Sequence, residues 1–175
     1  MSILQDASIS FFWGHMPIAA VTSVRYRQVY EENCRRIYSL AFWMTDNELA
    51  AEELMANTFC QVFGNSEAPT AEEIDHALIA ELRRFMPLGT LTLDCRPCDQ
   101  TLSVRRNSRR VDLERAVVQL PNTEKLIFLM HDVERYGFDR IGRTLGLGED
   151  ESRRALHQAR LRMRELLAKM SLILD

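Results

Sequence analysis

Residues 137–164 read GFDRIGRTLGLGEDESRRALHQARLRMR, and their pattern predicts the fold of the C-terminal part. Its pattern predicts a short helix over residues 138–145, a turn framed by Gly146 and Gly148, and a long helix that begins at Glu149. Two helices joined by a tight glycine turn are typical of a helix-turn-helix. In that motif the second helix presents a polar face to a DNA groove.

The long helix divides into a cationic face and an apolar face. At about 100° per residue, four cationic side chains fall within about 60° of one another: Arg153, His157, Arg160 and Arg164. The adjoining apolar stripe consists of Leu156, Ala159, Met163, Leu166 and Met170. Arginine on such a face can contact guanine or phosphate with two hydrogen bonds. The alternative is an ordinary amphipathic helix with a solvated face, and the preceding helix and turn favour DNA.

Three acidic residues, Glu149, Asp150 and Glu151, open the long helix. They suit the positive end of the helix dipole, but they also repel phosphate. The sequence therefore predicts a weak DNA reader that needs a protein partner to hold it on its site.

Three amphipathic helices are predicted in the N-terminal half. The first covers residues 24–44. A capping box of Thr45 and Glu48 predicts the start of the second helix, and a capping box of Thr70 and Glu73 predicts the start of the third. The apolar positions of the last two helices are Ala51, Met55, Phe59 and Val62, and then Ile74, Leu78, Leu82 and Phe85. The expected fold is all-α, with two small helical domains joined by a linker.

The predicted organisation has four parts: an apolar tail over residues 1–22, a helical domain over 23–87, a linker over 88–110 and a helix-turn-helix domain over 111–175. The apolar run in the tail has no basic leader and falls short of the roughly 20 residues that span a bilayer. We therefore expect a cytoplasmic protein without membrane insertion, whose tail docks on the domain behind it.

The 175 residues carry a net charge of −3, which is unevenly distributed. Residues 1–87 hold 6 basic and 12 acidic side chains, residues 88–110 hold 5 and 2, and residues 111–175 hold 11 of each. An acidic surface repels phosphate, so the front half favours a protein partner. The charge of the linker and of the arginine-bearing helix is compatible with DNA binding.

The linker contains a C-x-x-C pair, Cys95 and Cys98. Such a pair is compatible with half of a zinc site or with a redox switch. There is no second pair and no histidine nearby, so an incidental pairing is the favoured interpretation, and neither a metal nor another cofactor is expected. The chain also shows no nucleophile–base pair and no glycine-rich phosphate loop, so we do not expect an enzyme.

Two sets of residues resemble the motifs of one family. In the C-terminal half they are Leu120-Pro121, residues 126–129, 137–142 and 145–147, and the run from Ala155 to Arg162. In the N-terminal half they are Tyr30, Ile37-Tyr38, Ala41, Asp46, Ala51-Glu52-Glu53-Leu54, Phe59 and Val62-Phe63. The first set resembles region 4 of bacterial extracytoplasmic-function (ECF) sigma factors, and the second resembles region 2. Both occur in the family's order.

The resemblance implies a promoter-specificity subunit of bacterial RNA polymerase. In that family, region 2 docks on the coiled coil of the β′ subunit and captures the melted −10 strand, while region 4 holds the β-subunit flap and reads the −35 element. It implies polymerase contacts at Glu52, Glu53 and Asn57, base contacts at Arg153, Arg154 and His157, and a phosphate contact at Arg160. Promoter DNA, core polymerase and an anti-sigma factor are the implied partners.

The chain also departs from the family pattern. Ala56-Asn57 replaces the usual Gln-Glu, and the family's Trp-Leu and Ala-Arg-Asn signature is missing between Gly64 and Pro87. Arg83-Arg84 is therefore left as a basic pair with no aromatic cluster beside it. Because the stacking of each base on an aromatic side chain contributes about 1–3 kcal/mol to binding of a single strand, the chain lacks a main contribution to capture of the melted strand. The alternative function is a sigma-like regulatory protein that binds polymerase or duplex DNA without melting the promoter.

Overall fold

A computed structural model describes residues 24–66, 68–92 and 109–172. These residues form seven α-helices and one π-helical turn, with no strand among them, so the predicted all-α class is confirmed. None of these helices combines the length and apolarity needed to cross a bilayer. The chain divides into two compact units, residues 1–85 and 86–175. The predicted apolar tail and the Cys95–Cys98 pair lie outside the described residues.

Three helices build the N-terminal unit: α1 (Val24–Thr45), α2 (Glu48–Asn65) and α3 (Ala71–Phe85). Their buried apolar side chains recur every three or four residues, which places them on the inner face of each helix. The core includes Ile37, Leu40, Ala41, Leu54, Met55, Phe59, Val62, Ile74, Leu78 and Leu82. Phe85 was predicted to share the apolar face of the third helix, and this is wrong. Its side chain is 54% exposed because α3 ends there.

The capping box predicted at Thr45 and Glu48 is also wrong. Helix α1 runs through Thr45, whose hydroxyl donates to the Ala41 carbonyl oxygen at 2.9 Å. The N-cap of α2 is Asn47, whose backbone is extended and whose side-chain oxygen accepts the Ala50 N–H at 3.0 Å. A cap residue needs an extended backbone, so a threonine still inside the preceding helix cannot serve.

The second predicted capping box is confirmed at the start of α3. The Thr70 N–H donates to Glu73 Oε2 at 2.6 Å, and Thr70 Oγ1 accepts the Glu73 N–H at 3.2 Å. The Thr70 N–H and the Thr70 hydroxyl both donate to the Glu73 carboxylate, and these two hydrogen bonds lower the pKa of that carboxyl. The reciprocal pair satisfies two backbone donors that the helix itself leaves unpaired.

A partly buried ion pair joins α1 to α3. The Arg36 guanidinium contacts the Asp75 carboxylate through Nη1, and its Nη2 donates to Asn33 Oδ1 at 2.7 Å. The Asp75 side chain is only 2% exposed and that of Arg36 is 16% exposed. Asp75 thus occupies a position in α3 that faces the core, and Arg36 supplies the opposite charge.

The C-terminal unit contains α4 (Arg110–Val118), α5 (Asn122–Phe128), a π-helical turn (Leu129–Val133), α6 (Phe138–Leu145) and α7 (Glu149–Leu172). The bounds of α6 and the start of α7 are those predicted. Of the predicted apolar stripe of α7, Leu156, Ala159, Met163 and Leu166 are buried, whereas Met170 is only half-buried. They pack with Leu126, Ile127, Met130 and Ile141 in the core of this unit.

A π-helical turn follows α5 directly, in place of a continued α-helix. The π turn ends at Val133, and Arg135 adopts a left-handed backbone with φ of 62°. The Tyr136 N–H then donates to the Met130 carbonyl oxygen at 2.9 Å. The chain therefore changes direction at Arg135, three residues before α6 begins at Phe138.

Residues 89–92, which lie within the predicted linker (88–110), are hydrogen-bonded to the first turn of α5. The Gly89 N–H donates to Thr123 Oγ1 at 3.1 Å. The Thr92 N–H and hydroxyl both donate to Glu124 Oε1, at 2.6 and 3.3 Å. Thr123 and Glu124 are buried, so this part of the chain is held against the C-terminal unit.

The glycine turn between α6 and α7 fixes how the second helix leaves the first. Gly146 has a φ of 75°, and its N–H and the Leu147 N–H donate to the Gly142 carbonyl oxygen at 2.8 and 2.9 Å. This closes the C-terminus of α6 with a left-handed glycine. The turn lies so close to α6 that a Cβ on Gly142 would lie 2.7 Å from the Leu147 carbonyl oxygen.

We expect Gly142→Ala to lower the free energy of unfolding of the C-terminal unit by about 1–3 kcal/mol, because the clashing atom belongs to the backbone of the turn. The matched control is Gly64→Ala in α2, where an added Cβ has nothing within 4 Å. That substitution should be neutral or stabilising by up to about 1 kcal/mol. Thermal unfolding followed by circular dichroism compares the two. Equal midpoints would contradict the close approach.

Candidate nucleic-acid interface

Two of the three carboxylates that open α7 are held by the start of the helix. Glu151 Oε2 accepts the Gly148 N–H at 2.7 Å, as in a capping box. Glu149 forms an ion pair with Arg153 one turn later. The buried Ser152 hydroxyl donates to the Gly148 carbonyl oxygen at 3.0 Å. Because Glu149 and Glu151 are engaged in this way, the first turn of α7 repels phosphate less than three carboxylates without such contacts would.

The four residues predicted to contact DNA, namely Arg153, Arg154, His157 and Arg160, are all exposed on α7. They do not share one direction. At about 100° per residue, Arg154 and His157 lie within about 30° of the direction opposite the buried stripe. Arg153 and Arg160 lie about 70–90° from that direction, at the edge of the exposed face. The structure therefore separates a central pair from an edge pair.

Arg160, at the edge, is bound by Asp132 of the π-helical turn. Its Nε lies 3.0 Å from Asp132 Oδ2 and its Nη2 lies 2.5 Å from Oδ1. Burial raises the pKa of the Asp132 carboxyl, but hydrogen bonds and charge from Arg160 and His131 outweigh it and leave the pKa below its usual range. The hydrogen bond to Asp132 in turn raises the pKa of the Arg160 guanidinium.

Arg153, the other edge residue, lies over an aromatic ring. Its Cζ is 4.6 Å from the centroid of Phe138, the first residue of α6. The Phe138 ring also stacks on His131, with 4.5 Å between the ring centroids, and His131 Nδ1 lies 2.8 Å from Asp132 Oδ1. His131, Asp132 and Phe138 therefore form one connected group beside the edge of α7, which we call the brace.

Sequence reasoning missed the brace. Asp132 precedes Arg160 by 28 residues, and no helical spacing relates the two. The central residues Arg154 and His157 have no ion pair or ring contact within the described part of the chain. Their side chains are thus available to a groove.

In the N-terminal unit, the residues predicted to contact polymerase lie on α2. Glu53 is exposed, whereas Glu52 and Asn57 are half-buried. Glu52 approaches α1: burial, followed by the charges of Glu48 and Glu52, raises the pKa of Tyr38. This part of α2 therefore presents negative charge beside the surface of α1.

Residues 24–66, 68–92 and 109–172 contain no group of three or more His, Cys, Asp or Glu side chains arranged to hold a metal ion. Cys34 and Cys60 are unpaired and half-buried, and burial raises the pKa of both thiols. A raised thiol pKa lowers the thiolate fraction and with it the reactivity.

Residues 110–163 match the protein family Sigma-70, region 4. The chain is 27% identical over 161 residues to the ECF RNA polymerase sigma factor SigE of Mycolicibacterium smegmatis, which covers 82% of this chain. The chain spans 62% of the length of that relative. Its fold resembles that of the sigma factor RpoE of Bartonella quintana, solved in complex with the anti-sigma factor NepR. The TM-score is 0.59 at 12% identity, over 81% of this chain and 96% of that one.

The resemblance to ECF sigma factors predicted from the sequence is thereby confirmed. The family match starts at the first residue of α4 and ends within α7, so it contains the short helix, the glycine turn, the brace and all four exposed candidates. The structural match supports the all-α arrangement with a C-terminal helix-turn-helix.

Proposed function

We propose that this chain, whose C-terminal unit contains a sigma-70 region 4 match, is a sigma factor. In this role it directs bacterial RNA polymerase core to one class of promoters and starts transcription there. The observation that carries the proposal is the pair Arg154 and His157, which points away from the core of a helix-turn-helix within that match. The protein works in the cytoplasm, where its polymerase is, and has no catalytic step of its own.

In this proposal the two units have different partners. Helix α7 reads the −35 element in the major groove, where arginine binds guanine with two hydrogen bonds. The same unit contacts the β-subunit flap. The acidic part of α2, with Glu52, Glu53 and Asn57, docks on the β′ coiled coil. An anti-sigma factor is a further candidate partner, by likeness to the relative solved with one.

The nearly balanced charge of residues 111–175 supports a role in which the C-terminal unit reads DNA while polymerase contacts hold the protein in place. A helix-turn-helix with 11 basic and 11 acidic side chains gains little non-specific affinity from phosphate. Its hold on DNA then depends on the polymerase, which supplies a high local concentration of promoter near α7.

The decisive experiment is run-off transcription with purified core polymerase, the full chain and a library of genomic fragments. A defined set of products that requires the chain supports the proposal. A pull-down of core polymerase by the same protein establishes docking independently of the promoter. Absence of a chain-dependent product across the library would refute the sigma-factor role.

The second candidate function is docking without promoter melting. Phe85 is the only aromatic residue between Gly64 and Pro87, and the exposed Arg84 is paired with Glu81 at 3.1 Å. This part of α3 therefore offers little stacking surface for a melted strand. Permanganate footprinting separates the two candidates, because reactive thymines at −10 require an open complex. Core binding without such thymines would favour the second candidate.

We expect Arg154→Ala to weaken binding to the selected promoter by about 1–3 kcal/mol, the value of a bidentate base contact, with no loss of stability. The matched control is Arg115→Ala, which removes the same charge from the exposed surface of α4. Mobility shifts of holoenzyme on the promoter and on a −35-scrambled copy provide the measurement. Equal losses for both variants on both templates would assign Arg154 a charge effect rather than base reading.

A further inference from the structure

The brace raises a question about which arginines of α7 are available to DNA. Arg160 uses Nε and Nη2 on the two oxygens of Asp132, so one edge of its planar fork is filled. A bidentate contact to guanine or phosphate uses such an edge. Arg160 therefore has to leave Asp132, or turn its other edge outward, before it can bind DNA in that way.

Asp132 is itself held in place. His131 Nδ1 approaches Oδ1 at 2.8 Å, and the side chain of Asp132 is only 23% exposed. The His131 ring is stacked on Phe138, which anchors it to the start of α6. An ion pair supported by further hydrogen bonds and partial burial holds its geometry better than an isolated surface pair. His131 and Phe138 thus hold the Asp132 carboxylate in the position in which it binds Arg160.

Arg153 is restrained at the same edge by the other end of the brace. Its guanidinium lies over the Phe138 ring and pairs with Glu149. Arg153 and Arg160 are two helical turns apart, so the brace holds α7 at two points against the π-helical turn and α6. Both restrained arginines belong to the edge pair, and neither restraint touches Arg154 or His157.

We propose that Asp132 is a positioning residue that withholds Arg160 from DNA and uses it to fix the orientation of α7. Base reading then falls to Arg154 and His157, and Arg160 makes no phosphate contact. This inference rests on the proposed function, because it concerns how the same helix selects its promoter. It departs from the family-based expectation that Arg160 binds phosphate.

The test is the salt dependence of binding to a mixed-sequence 30-base-pair duplex, measured by fluorescence anisotropy with the full chain. Each phosphate contact contributes about 0.9 to the slope of log affinity against log salt concentration. Arg160→Gln should leave the wild-type slope unchanged, because Arg160 does not contact phosphate. Asp132→Ala should steepen the slope by about 0.9, because the released guanidinium gains a phosphate contact. Asp132→Asn, which keeps the size of the side chain, should change the slope in the same direction.

The matched control is Glu134→Gln. It removes one negative charge two residues from Asp132 and outside α7, but Glu134 has no ion-pair partner among the described residues, so no arginine is released. Its slope should equal that of the wild type. A slope that Arg160→Gln reduces by about 0.9 would overturn the proposal. An unchanged slope in both Asp132 variants would overturn it as well.

Failure of the inference and failure of the proposed function are distinguishable. The salt slopes use mixed-sequence duplex and need neither a promoter nor polymerase. A chain that drives no promoter-specific transcription would refute the sigma-factor role, while the slopes would still assign or deny the positioning role of Asp132. If both hold, Asp132→Ala should also lower the ratio of promoter to mixed-sequence affinity in the holoenzyme.

Discussion

Replacing Asp75 with alanine is expected to lower the free energy of unfolding of the N-terminal unit by about 3–5 kcal/mol, the cost of removing one partner of a buried ion pair. Asp75 is 2% exposed, and its loss leaves the Arg36 guanidinium without the carboxylate that compensates its burial. Arg36 keeps an exposure of 16%, which places the expected loss toward the lower end of that range.

Denaturant unfolding followed by tryptophan fluorescence measures this loss. The chain has two tryptophans, Trp13 and Trp43, so a Trp13→Phe background leaves Trp43 of α1 as the reporter of this unit. The control is Glu53→Ala, which removes an exposed carboxylate from α2 and should change stability by no more than about 0.5 kcal/mol. If Asp75→Ala matched that control, the ion pair would not be a main support of the unit.

The second large effect is expected at Leu156 of α7. Leu156→Ala should destabilise the C-terminal unit by about 2–5 kcal/mol, because the side chain is only 2% exposed and its truncation leaves a cavity in the core. Hydrogen exchange of the α7 amides, together with thermal unfolding, reports the loss. The control is Leu49→Ala, the same truncation at a leucine that is 77% exposed.

The comparison of Leu156 with Arg154 separates packing from reading. Leu156→Ala should reduce promoter binding only as far as it unfolds the domain, so lowering the temperature should restore it. Arg154→Ala should reduce promoter binding at every temperature and leave the unfolding midpoint in place. If the two variants showed the same temperature dependence, Arg154 would have a structural role.

The start of α7 shows how the structure changes the electrostatic interpretation of a sequence. Glu149, Asp150 and Glu151 predict a repulsive first turn when they are counted as three charges. In the fold, Glu149 is paired with Arg153, and Glu151 caps the helix through the Gly148 N–H. Asp150 is the acidic residue of this turn that points outward without such a contact within the described ranges. A weak DNA reader assisted by polymerase remains the expectation.

Much of the fold follows from patterns a few residues long. The capping box of Thr70 and Glu73, the bounds of α6 and the start of α7 depend on neighbours within one helical turn. The Thr45–Glu48 prediction failed because the same short pattern does not reveal whether Thr45 still belongs to the preceding helix. The prediction that Phe85 lies on the apolar face of α3 failed for a related reason, because helical periodicity does not indicate where the core that buries this face ends.

Four features could be predicted from the sequence alone: the all-α class, the helix-turn-helix with its glycine turn, most of the buried stripe of α7 and the resemblance to ECF sigma factors. These follow from spacing along one helix, because a helix places residues three and four apart on one face whatever surrounds it. Which cations of α7 are restrained, by contrast, depends on how this helix packs against the rest of the unit. Arg160 meets Asp132 across 28 residues, and Arg153 meets the ring of Phe138 across the turn. Such contacts depend on how separate helices pack against each other, so the spacing of apolar and charged residues along one helix does not predict them.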